Sequence, residues 1–200
     1  MWPTLKILLI LGGLTTLTEA FNYMFIMDDD GLMAPCEDQP GNHINFMDGL
    51  FDMSTSKLGK FDGKLRMEGD LIVKWTDVQP EDTLTFVGQI YKWEHNAWQK
   101  TMFSASSKNF CRNMFEKGQY WYDFWTKHIT NADEIMNQCL NTPGAVLKHE
   151  LFEPILKGSL NVPNLEGRYK LVITVDAFDK KNVKRPVTAC TEFRGIVKKS

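Results

Sequence analysis

The stretch that decides the fold is "KLRMEGDLIVKW", residues 64–75. Apolar side chains recur at every second position, and charged side chains fill most of the alternate positions, with Ile72 as the exception. The apolar positions on the shared face are Leu65, Met67, Leu71, Val73 and Trp75. Because successive side chains of a strand point to opposite sides, this period of two predicts a β-strand with one buried and one wet face. Gly69 falls on the apolar face and predicts a bulge.

Further strands are predicted around this stretch, separated by turn sequences such as "VQPED" at residues 78–82. The predicted strands cover residues 83–94, 98–103, 146–152, 167–178 and 187–197. Residues 106–129 lack the alternation and fit helix better, because apolar residues recur there at three- and four-residue spacing. Antiparallel strands with one helical insertion predict a mainly β protein, an antiparallel β-sandwich or β-cup with a short helical, aromatic-rich insertion at its mouth.

The beginning of the chain is typical of a secretory signal peptide. Lys6 gives a positive start, residues 7–17 form an apolar run, and Ala20 offers a small residue for cleavage. The run is shorter than the roughly 20 apolar residues that span a bilayer. We therefore expect residues 1–20 to be removed, leaving residues 21–200 as one secreted, extracellular domain. The alternatives are a buried N-terminal strand and an uncleaved anchor.

The four cysteines are Cys36, Cys111, Cys139 and Cys190. An even number in an exported chain predicts two disulfide bonds, with three pairings open. The cysteine and histidine spacings match no zinc motif, so we expect neither a metal nor a cofactor. The net charge of −2 argues against nucleic acid as the main partner.

An aromatic segment lies between the two middle cysteines. It reads "GQYWYDFWTKH", residues 118–128, and places five aromatic rings within six positions. One interpretation is the lip or lid of an apolar cavity between two separated sheets; the other is a cap on a filled core. Nine of the ten methionines follow residue 20. Because methionine adapts to irregular apolar shapes, this number favours the cavity.

Five stretches carry a resemblance to known proteins: "PCEDQPG", "LIVKWTDVQPEDTL", "FCRNMFEKGQYWYDFW", "CLNTPGAVLKHE" and "LEGRYKLVITVDAFDKKNVKRPVTAC". Through them, most of the chain after residue 20 resembles the insect CheA/CheB family of chemosensory secreted proteins. It is more distantly similar to the ganglioside activator proteins, which are lipid-recognition β-sandwiches. The resemblance implies that Cys36 pairs with Cys190 and Cys111 with Cys139. Activator proteins carry further cysteines at their mouth loops, which this chain lacks.

The resemblance also implies a function: a secreted binder or carrier of lipid-like hydrophobic ligands, such as hydrocarbon pheromones perceived in insect gustatory sensilla. The expected ligand contacts are apolar residues of the strands and of the aromatic segment, although each strand residue has plain core as its alternative. They are Leu65, Met67, Leu71, Val73, Trp75, Met114, Trp121, Phe124, Trp125, Tyr169, Leu171 and Ile173.

Two other functions are alternatives to the carrier. The first is a ligand-free accessory module that docks on a membrane receptor through the aromatic insertion. Basic residues near the C-terminus are candidates for contact with a receptor or a membrane surface, or for a solvated hairpin and tail: Lys180, Lys181, Lys184, Arg185, Lys198 and Lys199. The second is an enzyme, which we do not expect because the sequence contains no GxSxG, HExxH or P-loop motif.

Overall fold

The computed structural model describes residues 20–62, 64–154 and 156–200. The predicted signal peptide falls outside the described residues except for Ala20. The described chain is mainly β, with eleven strands and a few short helical elements. The strands are β1 Phe21–Met27, β2 Asn42–Ile44, β3 Phe51–Asp52, β4 Lys57–Phe61, β5 Lys64–Val73, β6 Thr83–Glu94, β7 Ala97–Ser107, β8 Val146–Phe152, β9 Lys157–Leu160, β10 Gly167–Phe178 and β11 Val187–Lys199. The helical elements are α1 Phe110–Asn113, α2 Tyr120–Phe124, α3 Ala132–Ile135, a π-turn at Phe46–Leu50 and a 3-10 turn at Thr126–His128.

The strands form two sheets. The large sheet has the order β7-β6-β10-β11-β1-β9, with the short β2 also paired to β11. Its pairs are antiparallel except for β2 with β11. In the small sheet, β5 pairs with β3 and β4 and with β8, always antiparallel. The predicted antiparallel, mainly β fold is confirmed.

The alternating stretch of residues 64–75 has one buried face, as its sequence predicts. Its five apolar positions each expose 6% or less of their surface. The bulge at Gly69 is also confirmed, because the pairing with β8 shifts register between Met67 and Gly69. Gly69 has a φ of +92°, and the carbonyl of Thr55 lies so close that a Cβ at this position would collide with it. A glycine is therefore required at the bulge.

Other element predictions vary in accuracy. The bounds predicted for β6, β8 and β10 match the structure, and β11 extends two residues beyond its predicted end. The β6–β7 hairpin is confirmed, and both of its turn residues, His95 and Asn96, have positive φ, as a tight hairpin requires. The helical prediction for residues 106–129 is only partly right: helices of four and five residues form, interrupted at Gly118, which has a φ of +87°.

Both disulfide bonds of the implied pairing are present. Cys36–Cys190 joins the segment after β1 to β11, and the two Cα atoms are 6.0 Å apart. Cys111–Cys139 joins α1 to the segment after α3, at a Cα separation of 5.4 Å. Neither bond joins one sheet to the other. Cys36–Cys190 ties two parts of the large-sheet side together, and Cys111–Cys139 lies within the insertion between β7 and β8. No helix of the described ranges is long and apolar enough to cross a membrane.

The insertion between β7 and β8 forms a side wall of the sandwich. Trp121 packs against Phe86 of β6 and Phe110 of α1, at ring-centroid distances of 5.1 and 5.5 Å. At its far end Ile129 forms a bridge with His149 of β8. The insertion thus runs from the large sheet to the small one, and Trp121 contributes to the shared core rather than to a free lip.

Candidate functional site

The inner face of β10 is less completely buried in its middle than toward either end, where Tyr169 and Val175 expose 5% and 1% of their surface. Strand β10 lies inside the large sheet with a neighbouring strand on each side. Its inner face would therefore be fully covered in a tightly packed sandwich. Ala177 and Val175 expose 0% and 1% of their surface, whereas Ile173 and Leu171 on the same face are only half-buried. A tightly filled sandwich buries the inner face of its central strands. Ile173 and Leu171 therefore mark the part of the inner face that is least tightly covered by the small sheet.

Apolar side chains from both sheets surround this part of the inner face, which we call the apolar cleft. Strands β1, β10 and β11 contribute from the large sheet, β4 and β5 from the small sheet, and α2 from the insertion. The buried members of the apolar cleft are Met27, Leu65 and Phe193, and its half-buried members are Phe25, Leu32, Met33, Leu58, Phe124, Leu156, Leu171 and Ile173. These side chains contact one another, so an incoming alkyl chain has to part them.

The structure divides the twelve predicted ligand contacts into three groups. Four belong to the apolar cleft: Leu65, Phe124, Leu171 and Ile173. Six instead belong to the large packed core and expose 6% or less: Met67, Leu71, Val73, Trp75, Met114 and Trp121. These six pack against other core side chains, and their role as ligand contacts stays a prediction. Trp125 and Tyr169 are held by polar or cationic neighbours, His149 and Lys92.

Sequence reasoning missed seven residues of the apolar cleft. Tyr23, Phe25 and Met27 share one face of β1, but the apolar Met24 and Ile26 on the other face hide the alternation. Phe193 also shares a face with Ala189 and Thr191 in β11. Leu156 and the pair Leu32 and Met33 lie in irregular segments, where no periodicity marks a side chain as inward.

A stack of aromatic and imidazole rings fastens the insertion to the small sheet. The Trp125 indole N–H donates to His149 Nε2 over 3.1 Å. His128 stacks on Phe152 at a centroid distance of 4.1 Å, and His149 lies 5.8 Å from the same ring. Burial lowers the pKa of His149, which accepts the indole hydrogen bond in its neutral form. Burial also lowers the pKa of His128, and Lys127 acts in the same direction.

These lowered pKa values predict a loss of stability in mild acid. Above the ordinary histidine pKa of about 6.5 both folded and unfolded chains are neutral at these positions. Below it the unfolded chain takes up protons that the folded chain resists, so the free energy of unfolding falls as the pH drops from 7 to 5. Urea unfolding across this range should show the fall, and His149→Gln should weaken it.

A matched control is His95→Asn in the β6–β7 turn, where asparagine tolerates the positive φ. This variant should keep the pH dependence of the unchanged protein. If His149→Gln and the unchanged protein lose equal stability between pH 7 and 5, His149 does not carry the effect.

Two surface pockets lie away from the apolar cleft. One, of about 550 Å³, is lined by Pro35, Cys36, His43, Ile44, Asn45, Asp48, Gly49 and Cys190. The other, of about 200 Å³, is lined by Lys57, Phe61, Arg66, Glu68 and Leu151 on the outer side of the small sheet. Neither pocket lies between the sheets.

The six basic residues near the C-terminus do not form one surface. Lys184 and Arg185 pair with Asp176 and Asp82, each at 2.8 Å, just before β11 begins. Lys198 and Lys199 stand at the other end of that 13-residue strand. At about 3.3 Å per residue the strand separates the two groups by about 40 Å.

Comparison with known proteins adds no relative to this description. No protein-family model matches the chain, and no curated protein matches it significantly.

Proposed function

We propose that the protein is a secreted binder or carrier of lipid-like hydrophobic ligands, and that the apolar cleft holds the alkyl part of the ligand. The observation that supports this most is the partial exposure of Leu171 and Ile173 on the inner face of an interior strand. Apolar surface left open between two sheets is stabilised when an apolar ligand covers it.

The energy available from such a cleft is sufficient for binding. An alkyl chain that buries about 400 Å² gains about 10 kcal/mol before ordering costs, at about 25 cal/mol per Å². Half-buried Phe124 and Leu156 lie in short or irregular segments beside the cleft, which are the easiest parts to displace. The resemblance to chemosensory secreted proteins supports extending this proposal to the perception of pheromone-like hydrocarbons.

Docking through the aromatic insertion receives less support. Of the five rings of residues 120–125, Trp121 is buried, Tyr122, Phe124 and Trp125 are half-buried, and Tyr120 is exposed. Aromatic hot spots of interfaces need rings that a partner can reach.

A binding experiment with matched variants tests the proposed function. The neutral fluorescent probe N-phenyl-1-naphthylamine is titrated into the protein, into Leu171→Asn and into Val87→Asn. Leu171 faces the cleft, whereas Val87 is exposed on the outer face of the neighbouring strand. Removing one apolar side chain from the binding surface costs about 1.5 kcal/mol or more, so Leu171→Asn should weaken binding at least about tenfold.

Val87→Asn should leave the affinity unchanged. Thermal unfolding of both variants checks that each is folded, which the partial exposure of both positions favours. Equal affinity of Leu171→Asn and the unchanged protein, or no binding of the probe by any of them, would contradict the proposal.

A further inference from the structure

The cation of Lys60 stands at the rim of the apolar cleft. In β4, Leu58 and Lys60 are two residues apart and therefore share the inner face of the small sheet. Lys60 lies opposite Leu65 in the pairing with β5. Side chains of directly opposed residues are neighbours on one face of a sheet. The stem of Lys60 thus lies beside a buried member of the cleft, and its ammonium group lies at the edge.

The present partner of Lys60 comes from the opposite side of the cleft. Its Nζ atom lies 2.7 Å from Oδ1 of Asp29, in the segment that also supplies Leu32 and Met33. The Asp29 side chain is 95% exposed, while that of Lys60 is only 30% exposed. An ion pair with one partner in open water is weak and readily exchanged. Lys60 is therefore the fixed member of the pair, and Asp29 is the replaceable one.

The other charges nearby are also paired, and their cations, Lys64 and Arg168, lie on the outer faces of β5 and β10. Asp28 is paired with Arg168 at 2.7 Å and its side chain is 19% exposed. Lys64 is paired with Glu153 at 2.9 Å. Lys60 is accordingly the cation best placed to meet a new anion at the rim.

We propose that the apolar cleft prefers amphiphiles that carry an anionic head, above all a carboxylate, over neutral molecules of the same chain length. Lys60 binds the head in place of Asp29, which turns into solvent, while the alkyl chain lies among the side chains of the cleft. This inference rests on the proposed function and adds the chemical class of ligand to it.

The experiment compares two probes with the same sixteen-carbon chain, palmitate and 1-hexadecanol, each below its aggregation limit and in competition with N-phenyl-1-naphthylamine. The unchanged protein should bind palmitate about fivefold more tightly, the ratio that corresponds to about 1 kcal/mol for a partly exposed ion pair. Lys60→Met should abolish this preference through a loss of palmitate affinity, with little change for 1-hexadecanol.

Lys57→Met is the matched control. Lys57 lies on the same strand, three positions from Lys60, so its side chain faces the outer side of the sheet. It forms an ion pair with Glu68 at 2.9 Å. This variant should keep the fivefold preference. Asp29→Asn removes the competing carboxylate and should raise the affinity for palmitate but not for 1-hexadecanol.

The outcomes separate this inference from the proposed function. Equal binding of the two probes, or an undiminished preference in Lys60→Met, overturns the role of Lys60 and leaves the cleft as a neutral binding site. Failure of both probes to bind contradicts the proposed function as well. Both lysine positions are solvent-exposed in part, and thermal unfolding confirms that the variants are folded.

Discussion

Replacing Cys36 and Cys190 together by alanine is expected to lower the free energy of unfolding by about 5 kcal/mol. The bond joins residues 154 positions apart, so its loss releases most of the chain in the unfolded state. It also frees the segment after β1, whose Ala34 pairs with Glu192 of β11 by backbone hydrogen bonds in both directions. Equilibrium urea unfolding without reductant measures the change, and a loss of this size is often enough to abolish folding of a small secreted domain at 37 °C.

The second disulfide provides an internal comparison. Cys111 and Cys139 are only 28 positions apart. The same dependence on loop length gives a loss of about 3.6 kcal/mol in the free energy of unfolding for the double alanine variant. The order of the two effects is the sharper expectation. A larger loss from the Cys111–Cys139 variant would show that local packing in the insertion outweighs the length of the closed loop.

Glu192→Gln is expected to cost about 3–5 kcal/mol, because it breaks a buried ionic cluster while leaving its cations in place. Glu192 and Lys170 expose 0% and 1% of their surface. Oε1 of Glu192 lies 3.0 Å from Lys170 Nζ, and Oε2 lies 2.9 Å from Arg194. The substitution keeps the shape of the side chain and removes its charge, so Lys170 and Arg194 lose their shared counter-ion.

Glu68→Gln is the control for this change. Glu68 pairs with Lys57 on the surface at 2.9 Å, where the effect should stay below about 1 kcal/mol. Urea unfolding of the two variants at pH 7 and moderate salt measures both values. Similar losses from the two substitutions would contradict the interpretation of the Glu192 cluster.

Strong one-sided alternation made the central strands predictable. In β5 the charged residues on the wet face reveal the period of two, and β10 and β6 carry the same signal. Strand β1 escaped prediction because Met24 and Ile26 on its outer face are also apolar, which hides the alternation. Strand β9 has four exposed residues and no apolar face to detect.

The burial of Lys170 could not be predicted from the alternation of side chains along β10. Its position in β10 predicts a solvent-facing lysine, since it alternates with Tyr169 and Leu171. The segment after β1 covers that face, and Asp38 reaches Lys170 Nζ at 2.8 Å. Tyr91 and Trp98 add their rings at 5.7 and 5.2 Å from the same atom. A contact across 132 residues of sequence leaves no trace in the alternation of β10.

The same reasoning explains which part of the candidate site was predictable. The inward faces of β5 and β10 were read correctly from alternation, so Leu65, Leu171 and Ile173 were found. The distance between the sheets depends on how the insertion and the loops pack. The sequence pattern therefore did not separate these three residues from Leu71 and Val73, which lie on the same face of β5 as Leu65 but in the closed core.

The placement of the two disulfide bonds leaves the two sheets without a covalent link to each other. Cys36–Cys190 lies on the large-sheet side and Cys111–Cys139 within the insertion, so neither restrains the distance between β4 and β10. Side chains around the apolar cleft can therefore change rotamer without straining either covalent bond. Under the proposed function, a hydrophobic molecule can enter and leave while both bonds stay intact.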